Sequence, residues 1–328
     1  MVFVVFLKEL SRQLYLDDAY DYYYFVRYYM SYPEFREEVL EALKRKLTED
    51  IIVEPVQVEK INSCIRYGIS FRKEGEMFSP TIYLEPFYKS FQRGQSVEFL
   101  AEELLRCYTE ETGQIPDCIC KLDSYETAQP DIYVKLIHVD QNKNLLKNTP
   151  HKMFIDFAIV PYFEVNDEQI FKGSVLLKDH HLQSWQVSSE TVLDYAIENT
   201  RQKKGVSFKS MSEVLEGFAF KEDEELYNRA KEGMFVLTNK EKYFGAVLAY
   251  FDDILYDIGV RIKEDFYMLP ASIHEWVVVP ASQVTDERIL LSMVKDINDH
   301  EVMAEEVLSY NVYYYSINSQ SLRVCEST

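Results

Sequence analysis

The chain has 328 residues, 47% hydrophobic and 14% aromatic, and its 35 basic against 55 acidic side chains leave a formal net charge of −20. That composition excludes disordered and fibrous classes and supplies enough apolar surface for one large core or two medium ones. The charge opposes direct binding to phosphate backbones, no apolar run approaches the ~18 residues of a membrane span, and five scattered cysteines point to a reducing cytoplasm.

The first 29 residues differ from the rest. The tyrosine-dense stretch DDAYDYYYFVRYYM reads as an N-terminal extension. From Met30 the pattern is that of a domain: in SYPEFREEVLEALKRKL, residues Phe35, Val39, Leu40, Ala42, Leu43 and Leu47 recur at helical spacing. Three strand candidates follow, IIVEPVQVEKI, CIRYGISFRK and SPTIYLEPFY, rich in β-branched and aromatic residues and broken by Gly and Pro. Ser96 is placed to cap the helix SVEFLAEELLRCYTEE, with Gly113 just past its end.

Residues 114–130 read as a loop or linker between an N-terminal α+β segment (30–113) and a C-terminal one (131–328), with a second, weaker break in RQKKGVSF. Beyond the linker, pairs of strand-like runs precede helices. KMFIDFAIVPYFEV and GSVLLKDH lead to SSETVLDYAIENT, MFVLTN and FGAVLAY to DDILYDIGVRI, and DFYMLP and HEWVVVP to TDERILLSMVKDIN, where Thr285 is the expected cap. NVYYYSI reads as a final strand. Short connections between successive strands favour antiparallel pairing. The expected fold is therefore α+β, with mostly antiparallel sheets built from repeated strand-strand-helix units and helices on one face.

Three ordered stretches resemble a known family. They are VKLIHVDQNKNLLKNTPHKMFIDFAIVPYF, LLKDHHLQSWQVSSETVLDYAIENT, and the run from MFVLTN through GAVLAY and DFYMLPASIHEWVVVP to EEVLSYNVYYY. Together they are similar to the domain of unknown function 5688, a family of uncharacterised bacterial proteins, mostly from Firmicutes, over residues 30–315. Where that family usually has a serine pair, Ala271 replaces the first, leaving Ser272. The tyrosine-rich leader has no counterpart in the family, which fits a start at Met30 or an extension. The resemblance implies an architecture and no reaction, cofactor or partner.

Ser272, His274 and Glu275 sit within four residues in LPASIHEW. On an extended strand Ser272 and His274 would share one face and Glu275 the other, so the three would not meet as nucleophile, base and orienter. Ser272 and Glu275 also match a helix capping box, which would close a single turn there. Asp156, in FIDFAIV, would share a strand face with Phe154 and Ala158, which makes it the carboxylate expected to have a shifted pKa. His180 and His181 read as a loop, and Asn199 and Thr200 as the end of a helix. Cys118 and Cys120 form a C-x-C without a second ligand pair, so no metal is expected. With ten glycines and neither G-x-G-x-x-G nor G-x-x-x-x-G-K-[ST], no nucleotide loop and no cofactor is expected.

The composition points first to a cytoplasmic, acidic protein that binds another protein as an accessory or regulatory factor, because catalytic signatures are missing and 25 Tyr and 20 Phe suit contact surfaces. A hydrolase-like enzyme gathering Asp156, Ser272, His274 and Glu275 in one cleft is the second expectation. An acidic DNA mimic is the third.

Overall fold

The computed structural model describes residues 30–47, 51–73, 81–111, 120–167, 171–215 and 233–325. The tyrosine-rich leader, Cys118 and the charged stretch KEDEELYNRA (221–230) lie outside the described residues. The chain divides into two compact units, one of Met1–Glu59 with Ile65–Ile115 and one of Lys60–Cys64 with Pro116–Thr328.

In the first unit, helix α1 (Tyr32–Lys46) starts from a capping box in which Ser31 and Glu34 satisfy each other's backbone N–H groups, and it buries Phe35, Val39, Ala42 and Leu43. Strands β1 (Ile51–Glu59), β2 (Ile65–Lys73) and β3 (Thr81–Tyr83) form an antiparallel sheet in chain order. The third strand candidate is cut short. Pro86, in the first turn, favours a helix start, and Glu85–Gln92 forms α2 instead of continuing the strand. Helix α3 (Val97–Glu111) is capped as expected, with Ser96 Oγ accepting the Phe99 N–H at 3.2 Å. Its Leu100, Ala101, Leu104 and Tyr108 close the core over Val53, Ile69 and Phe71.

Among its described residues the second unit holds two sheets. Strand β6 (Phe157–Asp167) is the hub of the first, pairing antiparallel with β4 (Ile132–His138), β5 (Lys152–Phe154) and β7 (Phe171–Leu176). Helix α4 (Asp179–Trp185) follows, so His180 and His181 lie on a helix rather than in a loop, because His181 Nδ1 accepts the Lys178 N–H and closes the first turn. Helix α5 (Ser189–Lys203) packs on β4 and β6. It runs past Asn199 and Thr200: Asn199 donates to the Gln129 and Ile132 carbonyls, and Thr200 Oγ1 takes the Val134 N–H at 2.9 Å. Both side chains bind neighbouring backbone instead of ending the helix.

The second sheet has six strands in the order β13, β12, β10, β11, β9, β8, all antiparallel. These are β8 (Ser207–Ser210), β9 (Phe235–Thr238), β10 (Phe266–Ser272), β11 (Glu275–Pro280), β12 (Tyr313–Ser316) and β13 (Ser321–Val324). Period-two alternation divides β10 between two cores: Phe266 and Met268 join the large core shared with the first sheet, while Tyr267 and Leu269 pack under α7 (Glu287–His300). The cap of α7 is Asp286 rather than Thr285, its carboxylate taking the Arg288 N–H. GAVLAY is a 3₁₀ segment (Gly245–Tyr250) leading into α6 (Asp252–Ile262), so this part of the chain is not a strand-strand-helix unit. The architecture is α+β with antiparallel sheets, and no helix among the described residues is long and apolar enough to cross a membrane.

Candidate functional site

Strands β10 and β11 are joined by a tight hairpin, with Ser272 paired to Glu275 and a register shift between Pro270 and Ser272. No helical turn forms there, so the capping-box expectation is replaced by a hairpin whose two turn residues are Ile273 and His274. The Ser272 hydroxyl accepts the His274 N–H at 3.0 Å and the Ile273 N–H donates to the Glu306 carbonyl at 2.8 Å. The serine thus has a turn to hold.

His274 is occupied on every side. Its Nδ1 accepts the Phe244 backbone N–H at 2.9 Å, its carbonyl accepts the Thr238 hydroxyl at 2.8 Å, and its ring stacks on Tyr243 and Phe244. An Nδ1 that accepts from an amide assigns the neutral ring's proton to Nε2, which lies 3.5 Å from Glu306 Oε1. Burial pushes the imidazole's pKa down, against the pull of the Glu306 carboxylate. Neither ring nitrogen is left to draw a proton from Ser272. Glu275 acts on the ring only as a nearby charge.

Asp156 lies in a second hairpin turn, with Ile155, between the paired residues Phe154 and Phe157. The expected strand placement fails because Ile155 takes a left-handed conformation at φ 56° and reverses the chain. Asp156 Oδ2 accepts from Tyr313 Oη at 2.7 Å and Asn311 Nδ2 at 2.9 Å, with His138 Nε2 at 3.6 Å. Burial raises the carboxyl's pKa, but these three donors outweigh it and hold the group below the usual range. The hydrogen-bonding partners of Asp156 and of His274 have no residue in common.

The side chain that sequence reasoning passed over is Lys135. Strand β4 is buried along nearly its whole length, and alternation puts Tyr133, Lys135 and Ile137 on one face. Lys135 is 6% exposed, with Nζ 4.3 Å from the Phe244 ring centroid and 5.8 Å from that of Tyr162. Among the described residues no carboxylate lies within ion-pairing distance of it. Burial, with a smaller contribution from the charge of Lys60, pushes its pKa down to about 8. Lys204 is 3% exposed yet treated in the opposite way: its ammonium meets Glu164 at 2.5 Å and Glu241 at 2.9 Å and sits over the Tyr133 ring at 3.9 Å.

One segment, 239–244, covers this face. Asn239 clasps both the Tyr243 N–H and carbonyl, Tyr243 Oη lies 3.3 Å from Ser174 Oγ, and Phe244, at φ 55°, meets the Tyr162 ring edge to face at 4.8 Å. Gly245 must follow. A Cβ there would stand 2.3 Å from Thr238 Oγ1 and 2.7 Å from the His274 carbonyl. The arrangement presents an amine with a sizeable neutral fraction at moderate pH, walled by aromatic rings and bordered by phenol and hydroxyl groups. Among the described residues no group of three or more His, Cys, Asp or Glu is placed to hold a metal ion.

A family model described as a family of unknown function, DUF5688, matches residues 32–317. No curated protein and no solved structure matches the chain.

Proposed function

The chain belongs to DUF5688, a family of unknown function, and we propose that it acts on a small molecule at Lys135, whose amine serves as base or nucleophile inside the aromatic cage. The observation that carries this reading is the contrast between two buried lysines. Lys204 is paired with two glutamates; Lys135 has no carboxylate partner among the described residues and lies against the rings of Phe244 and Tyr162. Lowering a lysine from its ordinary value to about 8 corresponds to roughly 3 kcal/mol of disfavoured charge. An apolar residue would fill the same position without that penalty, so the cost supports a chemical role.

Competitive labelling with trace acetic anhydride across a pH series tests the reading. Lys135 acetylation should rise with a midpoint near 8, separated from the other lysines. Titration of Lys135 together with the exposed lysines would count against it.

A second reading, a cytoplasmic accessory factor that binds another protein, draws support from the net charge of −20 and from 25 Tyr and 20 Phe. Affinity purification from the native host that returned no reproducible partner would weigh against it.

A further inference from the structure

The peptide unit joining Tyr243 to Phe244 is held at its two ends by groups of different kinds. Its carbonyl accepts from Asn239 Nδ2 at 2.7 Å, and its N–H donates to His274 Nδ1 at 2.9 Å. A side-chain amide donates at any pH, whereas an imidazole nitrogen accepts only while it carries no proton. Phe244 itself sits at φ 55° and ψ 28°, a left-handed conformation that a bulky residue keeps only where its surroundings hold it. Its ring centroid lies 4.3 Å from Lys135 Nζ, so the residue under strain is also the one that covers the buried amine.

We propose that Phe244 is an acid-released cover over Lys135, latched by the hydrogen bond from its backbone N–H to His274 and freed when that imidazole takes a second proton. The latch stands on its own geometry; that it guards a working amine rests on the site proposed above. The charged groups around His274 set its sensitivity. Burial and the charge of Lys135, on β4, oppose the second proton, while Glu306, beyond α7, and Glu275, on β11, favour it. Tyr243 and Phe244 present ring faces, and the Ser272 hydroxyl meets only the backbone N–H of His274. Once Nδ1 is protonated it points a donor at the Phe244 N–H, and Glu306 Oε1, 3.5 Å from Nε2, remains as the partner of the imidazolium. The Phe244 amide, on a residue 5% exposed, then has lost its acceptor, and the left-handed backbone its support. A change to the ordinary negative φ carries the ring off Lys135 and opens the amide to water. Asn239 continues to clasp Tyr243, and Lys204 to pair with Glu241, so the residues before Phe244 form the fixed side of the hinge. Acid charges Lys135 as well, so the closed cover and the uncharged amine belong to the same, less acid range.

Hydrogen exchange of the full chain, read by mass spectrometry with fragmentation that resolves the Phe244 amide, tests the latch. Exchange rates are converted to protection factors, which removes the intrinsic pH dependence of exchange. With the released imidazole at its ordinary value near 6.5, opening becomes up to about tenfold more favourable between about pH 7.5 and about pH 5.5, and protection of the Phe244 amide should fall by up to that factor. Amides of β6 such as Ile159 should keep their protection over the same range. His274→Asn supplies an acceptor that does not titrate, and in it the fall should disappear. Glu306→Gln keeps His274 and removes the carboxylate that favours its second proton, so there the fall should move to lower pH. Protection of the Phe244 amide that is constant with pH in the wild type would overturn the proposal. So would an equal fall in His274→Asn, or a fall shared by the β6 amides, which would report unfolding of the unit rather than release of its cover. The exchange of this amide does not involve the amine: an ordinary Lys135 acetylation midpoint beside a pH-dependent latch removes the amine site and leaves the cover standing.

Discussion

The backbone N–H of Phe244 donates to Nδ1 of His274 at 2.9 Å, and the two rings stack with an interplanar angle of 16°. Through this one contact the hairpin turn of β10 and β11 fixes the residue whose ring faces the Lys135 ammonium. His274 thereby acts as a positioning residue for the cage.

Protonating His274 at Nδ1 would set two donors against each other, and burial already lowers its pKa. A histidine depressed in the folded state is protonated more readily when unfolded, so its contribution to stability is complete above about 6.5 and declines as pH falls from there toward the folded value. Denaturant midpoints at pH 7.5 and pH 5.5 should therefore fall less in His274→Asn than in the wild type. His181, lowered chiefly by burial, adds the same sign to both proteins and drops out of the comparison. Equal slopes for the two proteins would remove His274 from this role.

The two buried lysines should respond oppositely to replacement. Lys135→Met removes an ammonium with no carboxylate partner and should stabilise the fold by on the order of 1–3 kcal/mol near neutral pH. Lys204→Met leaves Glu164 and Glu241 without their cation and should cost about 3–5 kcal/mol. Because Lys135 is depressed in the folded state, wild-type stability should also rise as pH passes from about 8 toward the unfolded lysine value, a rise absent from Lys135→Met. Thermal or urea unfolding reads all three effects.

Asp156 clasps the turn before β6 to the segment entering β12 through Asn311 and Tyr313. Asp156→Ala should destabilise by about 1–3 kcal/mol and leave the acetylation midpoint of Lys135 unchanged. A shifted midpoint would place Asp156 in the amine site after all. Its carboxyl is depressed in the folded state, so its contribution is present above about 3.9 and is lost as pH falls through the folded value.

Gly245→Ala should cost about 1–3 kcal/mol, since the added Cβ would press on Thr238 Oγ1 and the backbone at Asn239 and His274. Displacement of the neighbouring Phe244 should also bring the Lys135 midpoint back toward the ordinary lysine range. Retention of the wild-type midpoint would show that Phe244 is not what shields the amine.

The helices α1, α3 and α7 were legible from apolar residues at helical spacing, and Ser96 marked the start of α3 as well, whereas Thr285 stands one residue before the true cap of α7, Asp286. GAVLAY misled because an uninterrupted apolar run has the same appearance in a buried 3₁₀ segment and in a strand. The Asp156 turn escaped because Ile155, a β-branched residue, adopts the left-handed conformation that Gly or Asn would have advertised. The site was legible only in part. His274 stood out by residue type, but its partner Phe244 lies 30 positions upstream and meets it only in the tertiary fold. Lys135 did carry a signal: in IYVKLIH the flanking residues are apolar on both strand faces, so a lysine at the centre has no exposed side to occupy.

An NMR titration of the Lys135 Nζ resonance, assigned by its loss in Lys135→Arg, tests the central claim most directly. The expected midpoint is near 8, well below the ordinary lysine range. A midpoint at the ordinary lysine value of about 10.4 would contradict it.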